Sequence, residues 1–151
     1  MTETQLAALL CAFLGGGEAE TRQYFDVYGM ARHVRVDCET PSHVIELGLD
    51  GTPSARDSVH QALFAAHLTG KMPVVLMIDR DGYEGRFEYE LRHTAPMAGV
   101  LYLRCTEAVI VRWAATAPGR GRAQDDLPAT GNARTVCDLS ALTSSAGVEA
   151  F

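Results

Sequence analysis

At 151 residues, 47% of them hydrophobic and 21% charged, the chain suits one globular domain with one sizeable core. A net charge of −6 excludes a protein that grips nucleic acid over its whole surface, while leaving room for a local basic groove. No stretch is long enough to cross a membrane, and the apolar start MTETQLAALLCAFLGGG carries Glu3 and lacks the positive n-region and cleavage site of a signal peptide.

Residues 4–14 predict an amphipathic helix, with Leu6, Leu9, Leu10, Phe13 and Leu14 on one stripe and Gly15-Gly16-Gly17 as its stop. Residues 18–22 predict a short helical continuation. Residues 23–28 (QYFDVY) are aromatic and β-branched and predict a strand, with a turn over Gly29-Met30-Ala31. Residues 32–39 (RHVRVDCE) alternate, placing Val34, Val36 and Cys38 on one face and Arg35, Asp37 and Glu39 on the other. After a turn at Thr40-Pro41-Ser42-His43, residues 44–50 (VIELGLD) form the next strand, with Val44, Glu46, Gly48 and Asp50 on one face. Thr52 and Pro53 read as N-cap and first position of a helix that runs to Thr69 and closes at Gly70.

The apolar run of residues 72–79 (MPVVLMID) marks a strand buried on both faces. Asp81-Gly82 turns the chain, and the alternation over 86–92 predicts a strand with Phe87, Tyr89 and Leu91 inward. Further strands are expected over 99–105 and 108–113. Residues 1–116 thus make one domain. Residues 117–151, rich in Pro, Gly, Ala, Ser and Thr, make a poorly packed or flexible tail with one short element near 136–142. Cys11, Cys38, Cys105 and Cys137 show neither a CxxC pair nor zinc-like spacing, so reduced, buried thiols in a cytoplasmic protein are expected.

The chemistry concentrates in the hairpin of residues 32–50. A turn centred on Pro41-Ser42 sets Glu39 opposite Val44 and Asp37 opposite Glu46, on one face with Cβ atoms roughly 4.5–5.5 Å apart. Two carboxylates that close suit a divalent cation, since Mg²⁺ takes one or two protein carboxylates plus water and phosphate oxygens. They suit a solvated polar face as well, and alternation alone favours the latter.

The segment RVDCETPSHVIELGLDG, followed by TPSARDSVHQALFAAHLTGKMPVVLMID, resembles the core of the PD-(D/E)XK nuclease superfamily. Asp37 matches the family's first acid and Glu46-Leu47-Gly48 its E-x-K triplet, except that Gly48 stands where the lysine should. Gln61 falls where some members carry a glutamine. The resemblance covers residues 4–79. It implies an α/β fold, a mixed β-sheet flanked by helices with a restriction-endonuclease-like core (helix, three antiparallel strands, helix, strand), to which the chain adds C-terminal strands. It implies a metal-dependent phosphodiesterase acting on or binding nucleic acid, with Mg²⁺ or Mn²⁺ held by Asp37 and Glu46, and by Asp50 as a further ligand. Glu18 or Glu20 are additional candidate ligands. Without the lysine, water activation would fall to Arg35 or Arg56, or the site would be degenerate; Lys71 lies past the helix. The alternative is a non-catalytic protein-interaction module on the same fold, with a protein partner and a homo-oligomer both open.

Overall fold

The computed structural model describes residues 2–14 and 17–116, together with Cys137, Leu139, Ala141 and Leu142. The elements in chain order are α1 (Glu3–Leu14), β1 (Glu18–Val27), β2 (Met30–Glu39), β3 (His43–Leu49), a 3₁₀ turn (Pro53–Arg56), α2 (Asp57–Thr69), β4 (Met72–Asp79), α3 (Arg86–Thr94), a second 3₁₀ turn (Pro96–Ala98), β5 (Leu101–Thr106) and α4 (Glu107–Thr116). The strands form one five-stranded sheet in the order β1-β2-β3-β4-β5. β1–β2 and β2–β3 are antiparallel, while β3–β4 and β4–β5 are parallel. The protein is therefore α/β, with a mixed sheet flanked by helices. None of the described helices is long and apolar enough to cross a membrane.

Alternation along β3 and β4 sorts the core into two layers. Ile45, Leu47, Val74, Leu76 and Ile78 pack with α1 (Leu6, Leu10) and α4 (Val109, Ile110). On the opposite face Val75 and Met77 pack with Ala62 of α2 and Leu91 of α3, and Val44 packs with Ala65 of α2. Each fully buried aliphatic side chain here contributes about 1.5–3 kcal/mol. The continuous apolar run of β4 is explained by this double coverage.

Several local expectations hold. Gly70 closes α2 in the left-handed conformation (φ 74°), its N–H donating to the Ala66 carbonyl at 2.8 Å. Glu39 pairs with Val44 across β2–β3, the register expected from the turn. Others are corrected. Residues 18–22 belong to β1, which pairs with β2 at both of its ends. The hairpin turn is Tyr28-Gly29, both with positive φ (51° and 77°), the geometry of a two-residue turn between twisted strands. Thr52 spends its hydroxyl on the Leu49 carbonyl (3.1 Å), and the chain passes through a 3₁₀ turn before α2 begins at Asp57.

Residues 86–94 are a helix and not a strand. Phe87 and Leu91 lie one helical turn apart against the α2 side, and Glu88 is fully buried between them, accepting the Gly85 N–H at 3.2 Å. An alternating charge pattern of strong helix formers fits both periods, and the burial of Glu88 decides. Residues 108–113 likewise belong to a helix, α4, because Val109 and Ile110 fill the layer beside α1 despite their β-branching.

The cysteines are also corrected: Cys11 is bonded to Cys38 and Cys105 to Cys137. Disulfides persist in oxidising compartments and are rare in the cytosol, so the cytoplasmic placement loses the reduced thiols it rested on. The second bridge returns residue 137 to β5, and Leu139 and Leu142 join the core beside α1. The rest of the expected tail lies outside the described residues. The Cys11–Cys38 bridge closes a separation of 27 residues. Replacing both cysteines by serine should cost about 3 kcal/mol in urea unfolding, and the unreduced, denatured wild type should titrate no thiol.

Candidate functional site

The site forms where β2 and β3 part. Their ladder pairs Cys38 with Ile45 and Glu39 with Val44. At the next step the Asp37 side chain takes the place of a ladder carbonyl: its Oδ2 accepts the Leu47 N–H at 2.8 Å. The β1–β2 ladder pairs Ala19 with Cys38 and Thr21 with Val36, and between them Glu20 sits at a φ of 57°. Alternation breaks at this point. Val36 packs against Val44 and Ala65 on the α2 side, whereas Cys38 is bonded to Cys11 of α1 on the other. The expected common face of Val34, Val36 and Cys38 therefore does not exist, because the strand turns over at Asp37.

Glu46 is only 3% exposed. It lines a cleft of about 210 Å³ with Val34 and Arg35 of β2 and His60, Gln61 and Phe64 of α2. Burial, then the charge of Asp37, then a hydrogen bond to Asp37 push the Glu46 carboxyl up to about 10, with Glu20 and Glu3 adding to the rise. Glu3, in the first turn of α1, is itself raised by burial and by Asp37 and Glu20. Acidic residues of four consecutive elements thus bear on Glu46, which burial and the neighbouring Asp37 keep protonated at neutral pH. Among the described residues, the three acidic side chains whose ligand atoms come close enough together to hold one cation are Asp50, Asp79 and Asp81, not this group. A bound cation would have to displace the Glu46 proton.

The other expected site residues fall in different places. Arg35 stands at the cleft, with Nη1 3.5 Å from Glu20 Oε2. Arg56 does not join it: its guanidinium is bidentate to Glu90 (2.7 and 2.9 Å) and lies over the Phe87 ring. Asp50 lies just past the end of β3 and stands with Asp79 and Asp81, their ligand atoms within 4.8 Å of one another. Burial and those two neighbours raise its carboxyl. Lys71 is held by Glu39 Oε2 at 2.6 Å and the Thr40 carbonyl at 2.8 Å. A Cβ on Gly48 would meet Met77 Cε at 3.0 Å and Ser58 Oγ at 3.4 Å, so neighbours already fill the space where the triplet's lysine would begin.

A second polar cluster escaped the sequence. Asp79, at the end of β4, accepts the Asp81 and Gly82 N–H groups (3.0 and 2.7 Å) through Oδ1. Its Oδ2 accepts both Nε and Nη2 of Arg104, and Arg104 Nε also reaches Glu88 Oε2 at 3.1 Å. Burial pushes Glu88 up to about 7; the Gly85 N–H and Arg104 hold it down while Asp79 pushes it further. With Asp79 and Glu88 both buried, this cluster pins α3 to β4 and β5. No spacing motif signals it, because its members meet only after α3 and β5 pack. Glu3 was missed for a different reason: an acid in the first turn of a helix is an ordinary complement to the helix dipole.

Compared with known protein families, curated proteins and solved structures, the chain matches none.

Two outcomes are expected. Because the folded pKa of Glu46 lies above its unfolded value of 4.5, the folded state binds the extra proton between pH 4.5 and about 10, and stability falls as pH rises through that window. Glu46→Gln should flatten this dependence and raise the melting temperature at pH 8 by about 3 °C or more, measured by calorimetry across pH. Arg104→Met should cost about 3–5 kcal/mol in urea unfolding, since it strands two buried carboxylates.

Proposed function

We propose that this chain is a divalent-cation-dependent, PD-(D/E)XK-like protein that acts on or binds nucleic acid, with Asp37 and Glu46 as its metal ligands. The observation that carries this reading is the convergence of Asp37 and Glu46, with Glu20 and Glu3, at the point where β2 and β3 separate. A buried carboxyl whose main charged neighbours are all acidic is costly to keep ionised, and a cation is the simplest way to keep it so. The order helix, three antiparallel strands, helix, parallel strand agrees with the restriction-endonuclease-like arrangement that the resemblance implies.

When bound, the cation would lower the pKa of a water and stabilise charge on a phosphodiester. The chain's own residues have separate tasks. Asp37 is fixed through Oδ2 by the Leu47 N–H and stands beside Glu46. Glu46, once deprotonated, would hold the cation together with Asp37. Arg35 at the cleft rim would hold a phosphate oxygen in place, since a guanidinium orients and does not abstract a proton. Gly48 removes the lysine that would activate water, and Met77 and Ser58 occupy its place, which favours binding without cleavage, or slow cleavage, over an efficient enzyme.

Isothermal titration with Mn²⁺ tests this. Saturable binding is expected for the wild type, lost in Asp37→Ala and Glu46→Ala and retained in Asp50→Ala, which belongs to the other carboxylate group. Binding should tighten from pH 6 to pH 8, with about one proton released per ion at pH 7, read from buffers of different ionisation enthalpy. Absence of binding by the folded wild type, or binding indifferent to Asp37 and Glu46, would overturn the metal site. If binding is present, Mn²⁺-dependent cleavage of a labelled oligonucleotide separates an active site from a degenerate one.

A further inference from the structure

The β1–β2 hairpin runs far beyond the rest of the sheet. β1 and β2 pair from Glu18↔Glu39 to Val27↔Met30, whereas β2 pairs with β3 only at Cys38 and Glu39. α2 covers one face of this arm, where Phe25 meets Phe64 edge to face at 5.0 Å. The opposite face carries Arg22, Tyr24 and Asp26 on β1 and Ala31, His33 and Arg35 on β2, all of them exposed.

That face is composed in an unusual way. Arg22 lies directly opposite Arg35, a like-charge cross-strand pair that is destabilising by itself. Arg35 has Glu20 beside it at 3.5 Å, but Arg22 has no carboxylate within ion-pair distance among the described residues. One step along, Tyr24 is opposite His33, with ring centroids 5.7 Å apart, and Tyr24 is 65% exposed. Tyr28 at the turn is fully exposed. Paired guanidiniums followed by open aromatic rings are what a strand of sugar-phosphate with unstacked bases requires: the phosphate relieves the arginine pair and the bases lie on the rings. The arm also leads to the carboxylates, since Arg35 borders both its outer face and the cleft that holds Glu46.

We propose that the outer face of the β1–β2 hairpin binds single-stranded nucleic acid, with Arg22 and Arg35 on a phosphate and Tyr24 stacked on a base, and guides the strand to the Asp37–Glu46 site. A duplex fits less well, because its bases are already stacked and a chain of net charge −6 offers few cations with which to neutralise phosphates. The inference rests on the nucleic-acid reading of the carboxylate site but requires neither metal nor cleavage.

The test is fluorescence anisotropy of a labelled 20-mer of thymidine with the full chain, in EDTA at low salt, beside a duplex of equal length. The single strand should bind more tightly than the duplex. The double variant Arg22→Glu/Arg35→Glu should weaken binding tenfold or more and flatten its salt dependence, and Tyr24→Ala should weaken it about fivefold or more. Arg86→Glu, on α3, should leave it unchanged, and circular dichroism should show every variant folded. No binding by the wild type, an equal loss in Arg86→Glu, no loss in Tyr24→Ala, or preference for the duplex would each overturn the proposal. Mn²⁺ binding at Asp37 and Glu46 without oligonucleotide binding would remove the surface and leave the metal site. Oligonucleotide binding through Arg22 and Arg35 without Mn²⁺ binding would do the reverse.

Discussion

The burial of Glu46 beside Asp37 is the constraint around which this molecule is arranged. A carboxyl that is 3% exposed and next to another carboxylate would ordinarily be excluded from a core. Here it is accommodated by opening the β2–β3 ladder, by fixing Asp37 on the Leu47 N–H, and by retaining a proton on Glu46. The left-handed backbone at Glu20 and the exchange of faces between Val36 and Cys38 belong to the same opening. So does the projection of the hairpin, because β2 is released from β3 at the point where Asp37 leaves the ladder.

The surroundings share the stress unevenly. On the α1 side, the Cys11–Cys38 bridge holds the first helix against the strand next to Asp37, with Glu3 at the helix start completing the carboxylate group. On the α2 side, Met77 and Ser58 close over Gly48, so the sheet is packed tightly one step from the cleft. A side chain at position 48 would require Met77 to move.

Sequence alternation set Asp37 and Glu46 on neighbouring strands but not as the directly opposed pair expected, because the ladder ends at Cys38 and Ile45; up to that point the register is local. It depends on a four-residue turn whose ends, Thr40 and His43, are tied by a backbone hydrogen bond of 2.9 Å. The same reasoning failed for Asp50 and Arg56. Sharing a strand face says nothing about distance along the strand, and the Asp50 carboxylate is claimed by the ends of neighbouring elements, near Asp79 and Asp81. Arg56 sits early in the expected helix, but Glu90 and Phe87 of α3 hold it, and the alternation of α3 points to a strand.

By itself the sequence determined the α/β class, the C-terminal end of α2, the extent of β4 and the antiparallel β2–β3 hairpin, because each follows from spacing within about twenty residues and from the side-chain periods of helix and strand. The tertiary structure alone decided the rest. Whether RFEYELR and the segment at Val109 and Ile110 coil or extend depends on Glu88 meeting Arg104 and on the space beside α1. Whether four thiols pair depends on α1 and residue 137 folding back onto the sheet. Whether Glu46 keeps its proton beside Asp37 depends on how deeply it is buried, and burial is a property of the packed whole that no local pattern carries.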